Sequence, residues 1–309
     1  MRRPVHTGLL TLALVWGCLT IAGPFPAEAP ATAFAQQAPA ATNTSVSLPN
    51  RDGSLKFAVL GDFGNGSRQQ MELAAQMAKL HERFAYELVI TVGDNIYGTD
   101  SPRAFRDRFE VPYKAILDKG VKFYASLGNH DTSELQRYYK LFNMDGKLYY
   151  TFKAPREDVR FFALESGYMD VQQIGWIEKE LADSGEKWNI PYFHHPLYSS
   201  GDRHGSQVDL RKILEPIFVK HDVTVVFAGH DHFYERTEPQ NGIVHFVVGS
   251  GGQLRRGNIN RSSPFLASGF DTDLAFLAAE IDGDELFFNV ITRTGQVADS
   301  GVIRRREVQ

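Results

Sequence analysis

Three short apolar runs set the terms on which this chain can fold. Residues Leu55–Leu60, Leu88–Val92 and 121–127 are β-branched and aromatic, and each stops at a glycine followed by polar residues: Gly61-Asp62-Phe63-Gly64, Gly93-Asp94-Asn95-Ile96-Tyr97 and Gly128-Asn129-His130-Asp131. Apolar runs of this length without alternation read as strands buried on both faces. Between the first two, residues 68–86 place Met71, Ala74, Ala75, Met77, Ala78, Leu80 and Phe84 at helical spacing. Between the second and third, residues 102–117 read as a helix with Ser101 at the N-cap and Pro102 in the first helical position. A strand, polar cluster and helix repeated in this way predict a mostly parallel sheet with right-handed crossovers.

The second half keeps the punctuation but changes rhythm. Short strands are predicted over 149–152, 159–165 and 188–193, with helices over 171–183 and 208–221. The 188–193 run delivers His194-His195-Pro196, and the run 223–227 delivers Ala228-Gly229-His230-Asp231-His232. From residue 243 onward the pattern is strand and turn: 243–248, 275–281, 285–291 and 297–303. A second sheet packed on the first, with helices outside, accommodates both halves. The expected class is therefore α/β, a four-layer α/β/β/α sandwich of two mixed sheets flanked by helices.

Composition limits the remaining choices. At 309 residues and 43% hydrophobic content the chain can bury one large core or two modest ones. Residues 1–35 carry Arg2 and Arg3, an apolar run from Thr7 to Gly23 and the Ala33-Phe34-Ala35 triplet, which read as a secretory signal peptide cut before Gln36. An uncleaved anchor is the other reading of the same stretch. Residues 36–51 form an aperiodic tether rich in Ala, Pro, Thr and Ser, and a single domain is expected over 52–309. Secretion or a periplasmic location follows. Cys18 is the only cysteine and leaves with the signal, so a metal in the mature chain has to be held by His, Asp, Asn and Tyr. The formal charge of −4 shifts to −5 once Arg2, Arg3 and Glu28 are removed, and no basic run stands out. Nucleic acid and anionic membrane surfaces are therefore not expected partners.

The residues leaving the strand ends are Asp62, Asp94 with Tyr97, Asn129 with His130, His194, and His230 with His232. Carboxyl-end loops of an open α/β sheet are where ligands collect. Hard oxygens beside imidazoles suit two first-row metal ions sharing one carboxylate. Such a pair, about 3.5–4 Å apart, can activate water and clamp a phosphoryl group undergoing in-line displacement.

In this order and spacing the five clusters resemble the metal-binding blocks of the calcineurin-like metallophosphoesterases. Tyr97, three residues after Asp94, is similar to the tyrosine of the purple acid phosphatases, and the text through Gly128-Asn129-His130-Asp131 resembles their small, tartrate-resistant type. The resemblance spans about residues 55–250. It implies Asp62, Asp94, Tyr97 and His232 around Fe(III), with Asp94 bridging to a second divalent metal (Fe, Zn or Mn) on Asn129, His194 and His230. It also implies that His130 orients phosphate or protonates the leaving group, with His204, in Ser199-Ser200-Gly201-Asp202-Arg203-His204-Gly205, as a second candidate. The implied activity is hydrolysis of small phosphate monoesters by a metal-bound hydroxide at acidic to near-neutral pH. A phosphodiesterase or nucleotide pyrophosphatase would use nearly the same ligands, and a non-catalytic metal- or phosphate-binding protein is the third reading. The extra β-sandwich domain of the larger plant enzymes has no counterpart ahead of Leu55, so a monomer is expected.

Some residues stay outside these assignments. His195 reads as a hydrogen-bonding neighbour of a ligand, and His81, His221 and His245 as surface or core histidines. Gly249-Ser250-Gly251-Gly252 reads as a turn or an anion-binding nest of amides. Arg255 and Arg256 read as surface residues or as contacts for substrate anions, and Trp176 and Trp188 as core residues.

Overall fold

A computed structural model describes residues 48–306. The stretch expected to be a signal peptide and most of the expected tether lie outside these residues.

Thirteen strands form two mixed sheets among the described residues. The first has the order β13(Val297–Arg304), β12(Glu285–Thr292), β11(Ala275–Asp282), β1(Leu55–Leu60), β2(Leu88–Val92), β3(Lys122–Ser126). The second runs β10(Leu266–Phe270), β8(Tyr234–Thr237), β9(Val244–Val248), β7(Val225–Ala228), β6(Trp188–Tyr192), β5(Val159–Ala163), β4(Tyr150–Lys153). Strands β1, β2 and β3 are parallel, as are β5, β6, β7 and β9. The remaining pairings, through β13, β12, β11 and β1 in the first sheet and through β10, β8 and β9 and between β4 and β5 in the second, are antiparallel. The parallel strands are the run-on apolar segments, because both of their faces are covered.

The two sheets close on an aromatic core. Phe57 of β1 meets Phe161 of β5 edge-on at 5.2 Å and Phe227 of β7 at 6.2 Å, and Phe246 of β9 meets Phe288 of β12 at 5.1 Å. Such pairs contribute about 0.5–1.5 kcal/mol each beyond area burial. Outside the second sheet, α5(Val171–Ala182) and α6(Val208–Lys220) bury Ile177, Leu181, Leu214 and Phe218 against Phe162 and Phe193. Outside the first, α1(Arg68–Phe84) packs on α3(Val111–Leu117) and β11, and a single helical turn, α4(Ser133–Gln136), follows β3. The Ser67 side chain caps α1 by accepting from the Gln70 N–H, and Ala85 ends it in the left-handed conformation. The layers are those expected, α/β/β/α.

Three details differ from expectation. The segment 102–117 is α2(Pro102–Phe105), a π-helical turn over Arg106–Glu110, then α3, rather than one regular helix. Strands β8 and β10 were not expected. Strand β8 lies inside the polar text Tyr234-Glu235-Arg236-Thr237, and β10 contains Ser268 and Gly269 and is half-buried throughout, so neither shows a two-residue period. Finally, the last residues of the tether are fastened. Leu48 is buried, and the buried Glu280 carboxylate of β11 accepts from the Asn50 and Arg51 amides at 2.6 and 2.7 Å and from Ser54 Oγ at 2.7 Å.

Candidate metal centre

The strand-end loops of both sheets converge at one edge. The loops after β1 and β2 are stitched by Asp62 N–H to Gly93 O (3.0 Å) and Phe63 N–H to Asp94 O (3.2 Å), and those after β6 and β7 by Gly229 N–H to His194 O (2.9 Å). The backbone at this junction is strained. Asp62, Asp94 and His230 all adopt positive φ, at 54°, 51° and 72°. Aspartate and histidine enter that region more often than most residues, yet three such positions together are uncommon and are held by their surroundings. Each of these turns aims a donor inward.

Two groups of donor atoms result, and Asp94 belongs to both. In the first, Tyr97 Oη lies 3.2 Å from Asp62 Oδ1, 3.0 Å from Asp94 Oδ2 and 3.3 Å from His232 Nε2. His232 Nε2 is in turn 3.5 Å from Asp62 Oδ1. In the second, His194 Nε2 lies 3.0 Å from Asn129 Oδ1, 3.1 Å from His230 Nδ1 and 3.5 Å from Asp94 Oδ1. The structure thus brings together all seven residues expected as ligands.

The chemistry of these groups calls for cations. Asp62 and Asp94 are fully buried side by side, and among the described residues no lysine or arginine pairs with either. Burial, then the Asp94 charge, pushes the Asp62 carboxyl well above its usual range. A pair of buried carboxylates without a counter-ion is costly. His194 makes the same point independently. Its Nδ1 lies 2.9 Å from the Val92 carbonyl, which can only accept, so Nδ1 holds the proton and Nε2 presents a lone pair. That lone pair faces Asn129 Oδ1, another acceptor, with Asp94 Oδ1 beyond, and the one group near it able to donate is His230 Nδ1 at 3.1 Å. Protonating the ring would relieve the mismatch, but burial and then the neighbouring His195 hold its pKa well below normal. Burial also lowers His230 to about 2 and, with Arg255 as the next cause, His232 to about 4. Neutral imidazoles, carboxylates and an amide oxygen fit two metal ions, which Asp62, Asp94, Tyr97 and His232 on one side and Asp94, Asn129, His194 and His230 on the other would hold. Tyr97 is held protonated by burial and by the two aspartates, and a cation between the three oxygens would reverse that balance.

The expected acid groups sit at the mouth. His130 is exposed, its N–H donates to Asp94 Oδ1 at 2.9 Å, and its ring lies 5.0 Å from that of Tyr97. His204 is also exposed, with its ring 4.4 Å from that of His230. The His195 ring lies 4.6 Å from that of His230, tilted by 54°, and its Nδ1 is 3.0 Å from Ser166 Oγ, as expected of a hydrogen-bonding neighbour. The glycine-rich segment is a turn: Gly251 and Gly252 donate their amides to the Gly61 and Asp62 carbonyls, which leaves them unable to cradle an anion. His245 is buried beside Tyr198, while Trp176 is only half-buried, its ring 4.9 Å from that of Tyr149 and tilted by 51°.

Three positioning residues escaped the sequence reading although they lie within the quoted motifs or directly after them. Asp131 Oδ1 accepts from the Asn95 and Ile96 amides at 2.8 and 3.2 Å, and Oδ2 from the Gly128 amide at 2.8 Å, clamping the β2 and β3 loops together. Asp231 Oδ2 accepts from Ser199 Oγ at 2.5 Å and the Gly205 amide at 3.1 Å. Glu235 accepts from the Ser200 amide and hydroxyl at 2.7 and 2.6 Å. The last two hold the loop that carries His204. An acidic residue between the histidines was the available signal.

Comparison with known proteins agrees with this geometry. The model of the calcineurin-like phosphoesterase family matches residues 55–234. Purple acid phosphatase 4 of Arabidopsis thaliana is 27% identical over 77% of this chain and 80% of its own. The tartrate-resistant acid phosphatase type 5 of Oryctolagus cuniculus is 26% identical over 68% and 77%. Among solved structures, GAP50, the anchor in the inner membrane complex of Plasmodium, superposes with a TM-score of 0.71 at 19% identity, covering 83% of this chain and 90% of that one, a likeness of fold alone.

Proposed function

The chain belongs to the calcineurin-like phosphoesterase family, and from that premise we propose that it is a secreted acid phosphatase hydrolysing small phosphate monoesters at a dinuclear centre of one ferric and one divalent ion (iron, zinc or manganese). The carrying observation is the pair of donor groups sharing Asp94, one of them built on a phenol. Asp62, Asp94, Tyr97 and His232 would hold the ferric ion, and Asp94, Asn129, His194 and His230 the divalent one. When bound, such a pair supplies a low-pKa water as nucleophile and neutralises phosphoryl charge.

The protein's own groups do the rest. Val92 O fixes the His194 tautomer so that Nε2 stays free to bind. His130 stands at the mouth beside Tyr97, placed to give a proton to the departing alkoxide or phenoxide, and His204 approaches from the His230 side to share that work or bind phosphate. Asp131 and Asp231 keep the loops that carry these histidines at fixed separation. An exposed acid next to a ligand is not needed for binding alone, which favours an enzyme over a passive binder.

Among the described residues no helix is long and apolar enough to cross a membrane. The chain is proposed to act as a monomer released by signal cleavage, with no nucleic-acid partner.

Elemental analysis and a visible spectrum of the purified protein test the centre. Iron should be present, and a phenolate-to-iron band should colour the protein and vanish in Tyr97→Phe. Turnover of p-nitrophenyl phosphate should exceed that of bis(p-nitrophenyl) phosphate and should decline toward alkaline pH. A colourless two-zinc protein, colour that survives Tyr97→Phe, or a preference for the diester would each overturn the corresponding part.

A further inference from the structure

Beyond His232 the rim of the site carries two positive charges that the proposed reaction does not use. The Arg255 N–H donates to the His232 carbonyl at 2.9 Å, so its chain leaves directly from the metal-side loop. Arg203 immediately precedes His204, whose ring is 4.4 Å from that of His230. Their two loops are joined by Asp202 N–H to Asn258 O (2.9 Å), Asn260 N–H to Ser200 O (2.8 Å) and a β-bridge between Gly201 and Ile259. The arginines therefore keep a fixed relation to each other and to the centre.

Neither has found an anion. Among the described residues neither Arg203 nor Arg255 makes an ion pair, while nearby Arg236 and Arg261 are paired with Asp299 and Asp271. Arg255 Nη1 is sealed from solvent and has no hydrogen-bond partner. Arg203 is solvent-exposed, and the sealed Arg255 nitrogen keeps an unmet demand for an acceptor, which an anion bridging the two guanidiniums would fill. The phosphoryl group under attack is matched by the two metal ions of the proposed centre. Two further positive charges exceed its needs and equal those of another phosphate. Arginine is the side chain best suited to that anion, through its bidentate fork.

We propose that Arg203 and Arg255 hold a second phosphate of the substrate, so that molecules carrying two phosphates are preferred over simple monoesters. The inference rests on the phosphatase reading of the adjacent centre. Its test compares kcat/KM for phenyl phosphate, ADP and fructose 1,6-bisphosphate in the metal-loaded wild type, Arg203→Ala, Arg255→Ala and Arg255→Lys. Each alanine variant should lose at least roughly tenfold more on a two-phosphate substrate than on phenyl phosphate, mainly through KM, with Arg255→Lys recovering part of the loss. A selective loss on ADP alone assigns adjacent phosphates, and one on the bisphosphate alone assigns phosphates set apart by a sugar. Equal losses on all three substrates, or none, overturn the proposal. If the wild type hydrolyses nothing, the phosphatase reading fails instead. Calorimetric binding then decides: Arg255→Ala must weaken ADP more than phenylphosphonate, or the second-phosphate site fails as well.

Discussion

Replacing Gly128 by alanine isolates how closely the two carboxylate loops must approach. Gly128 ends the β3 run just before Asn129, and its φ lies outside the left-handed region, so alanine is conformationally acceptable there. The obstacle is space. A Cβ at this position would fall 2.2 Å from Asp94 Oδ1 and 2.4 Å from the Asp94 nitrogen, where ordinary contact begins at 3.4 Å. The clash involves backbone as well as side chain, so the Asp94 turn has to retreat by about 1 Å, a misplacement of the size that costs about a hundredfold in rate. Asp94 is shared by both donor groups, so metal content should fall with activity. The strain should also lower stability by about 1–3 kcal/mol, as in other overpacked sites. Gly175 in α5 is the control. Nothing lies within 4 Å of a Cβ there, so Gly175→Ala should keep full activity and gain roughly 0.5–1 kcal/mol from helix propensity. Steady-state hydrolysis of p-nitrophenyl phosphate, metal analysis and thermal melts read all three quantities. If Gly128→Ala keeps both its metals and a kcat/KM within about threefold of wild type, close approach to Asp94 is not what the glycine provides, and the argument fails.

His130→Ala should lower kcat by about 10²–10⁴ while leaving metal content unchanged, and a parallel loss of metal would show the residue to be structural. Glu235 gives a stability test in the metal-free protein, where burial lifts its carboxyl from 4.5 to about 7. A folded-state pKa above the unfolded one means that stability is fully present below about pH 4.5 and is lost as pH rises through about 7. The shift corresponds to about 3 kcal/mol. Urea melts at pH 4 and pH 8 should show that loss in the wild type and a flatter response in Glu235→Gln. Equal losses in both would mean that Glu235 does not titrate in this window.

The positions of the donor residues were legible because the strands that present them are covered on both faces. Runs such as Leu88–Val92 carry no alternation and stop at a glycine, so the next polar residue, Asp94, was placed at a sheet edge without knowledge of the partner strand. What could not be read was which loops touch. The roles of Asp131 and Asp231 depend on amides from other loops, 35 residues away for Ile96 and 26 for Gly205. The clamp of Glu280 on Asn50 and Arg51 joins residues about 230 positions apart. Strand β8 was hidden because Glu235 is buried through hydrogen bonds to Ser200, so a charged residue occupies a position where the pattern calls for an apolar one. The sequence leaves Arg255 as a surface residue or a contact for substrate anions, and its unpartnered nitrogen arises only from the folded surroundings.

The Glu280 clamp also fixes how the molecule can be mounted. Glu280 pairs with Lys56 at the start of β1, whereas Asp62 follows its end, so the chain enters at the pole opposite the pocket, roughly 20 Å away at about 3.3 Å per strand residue. A bead, electrode or fusion partner grafted ahead of Leu48 would leave the catalytic face pointing into the bulk liquid.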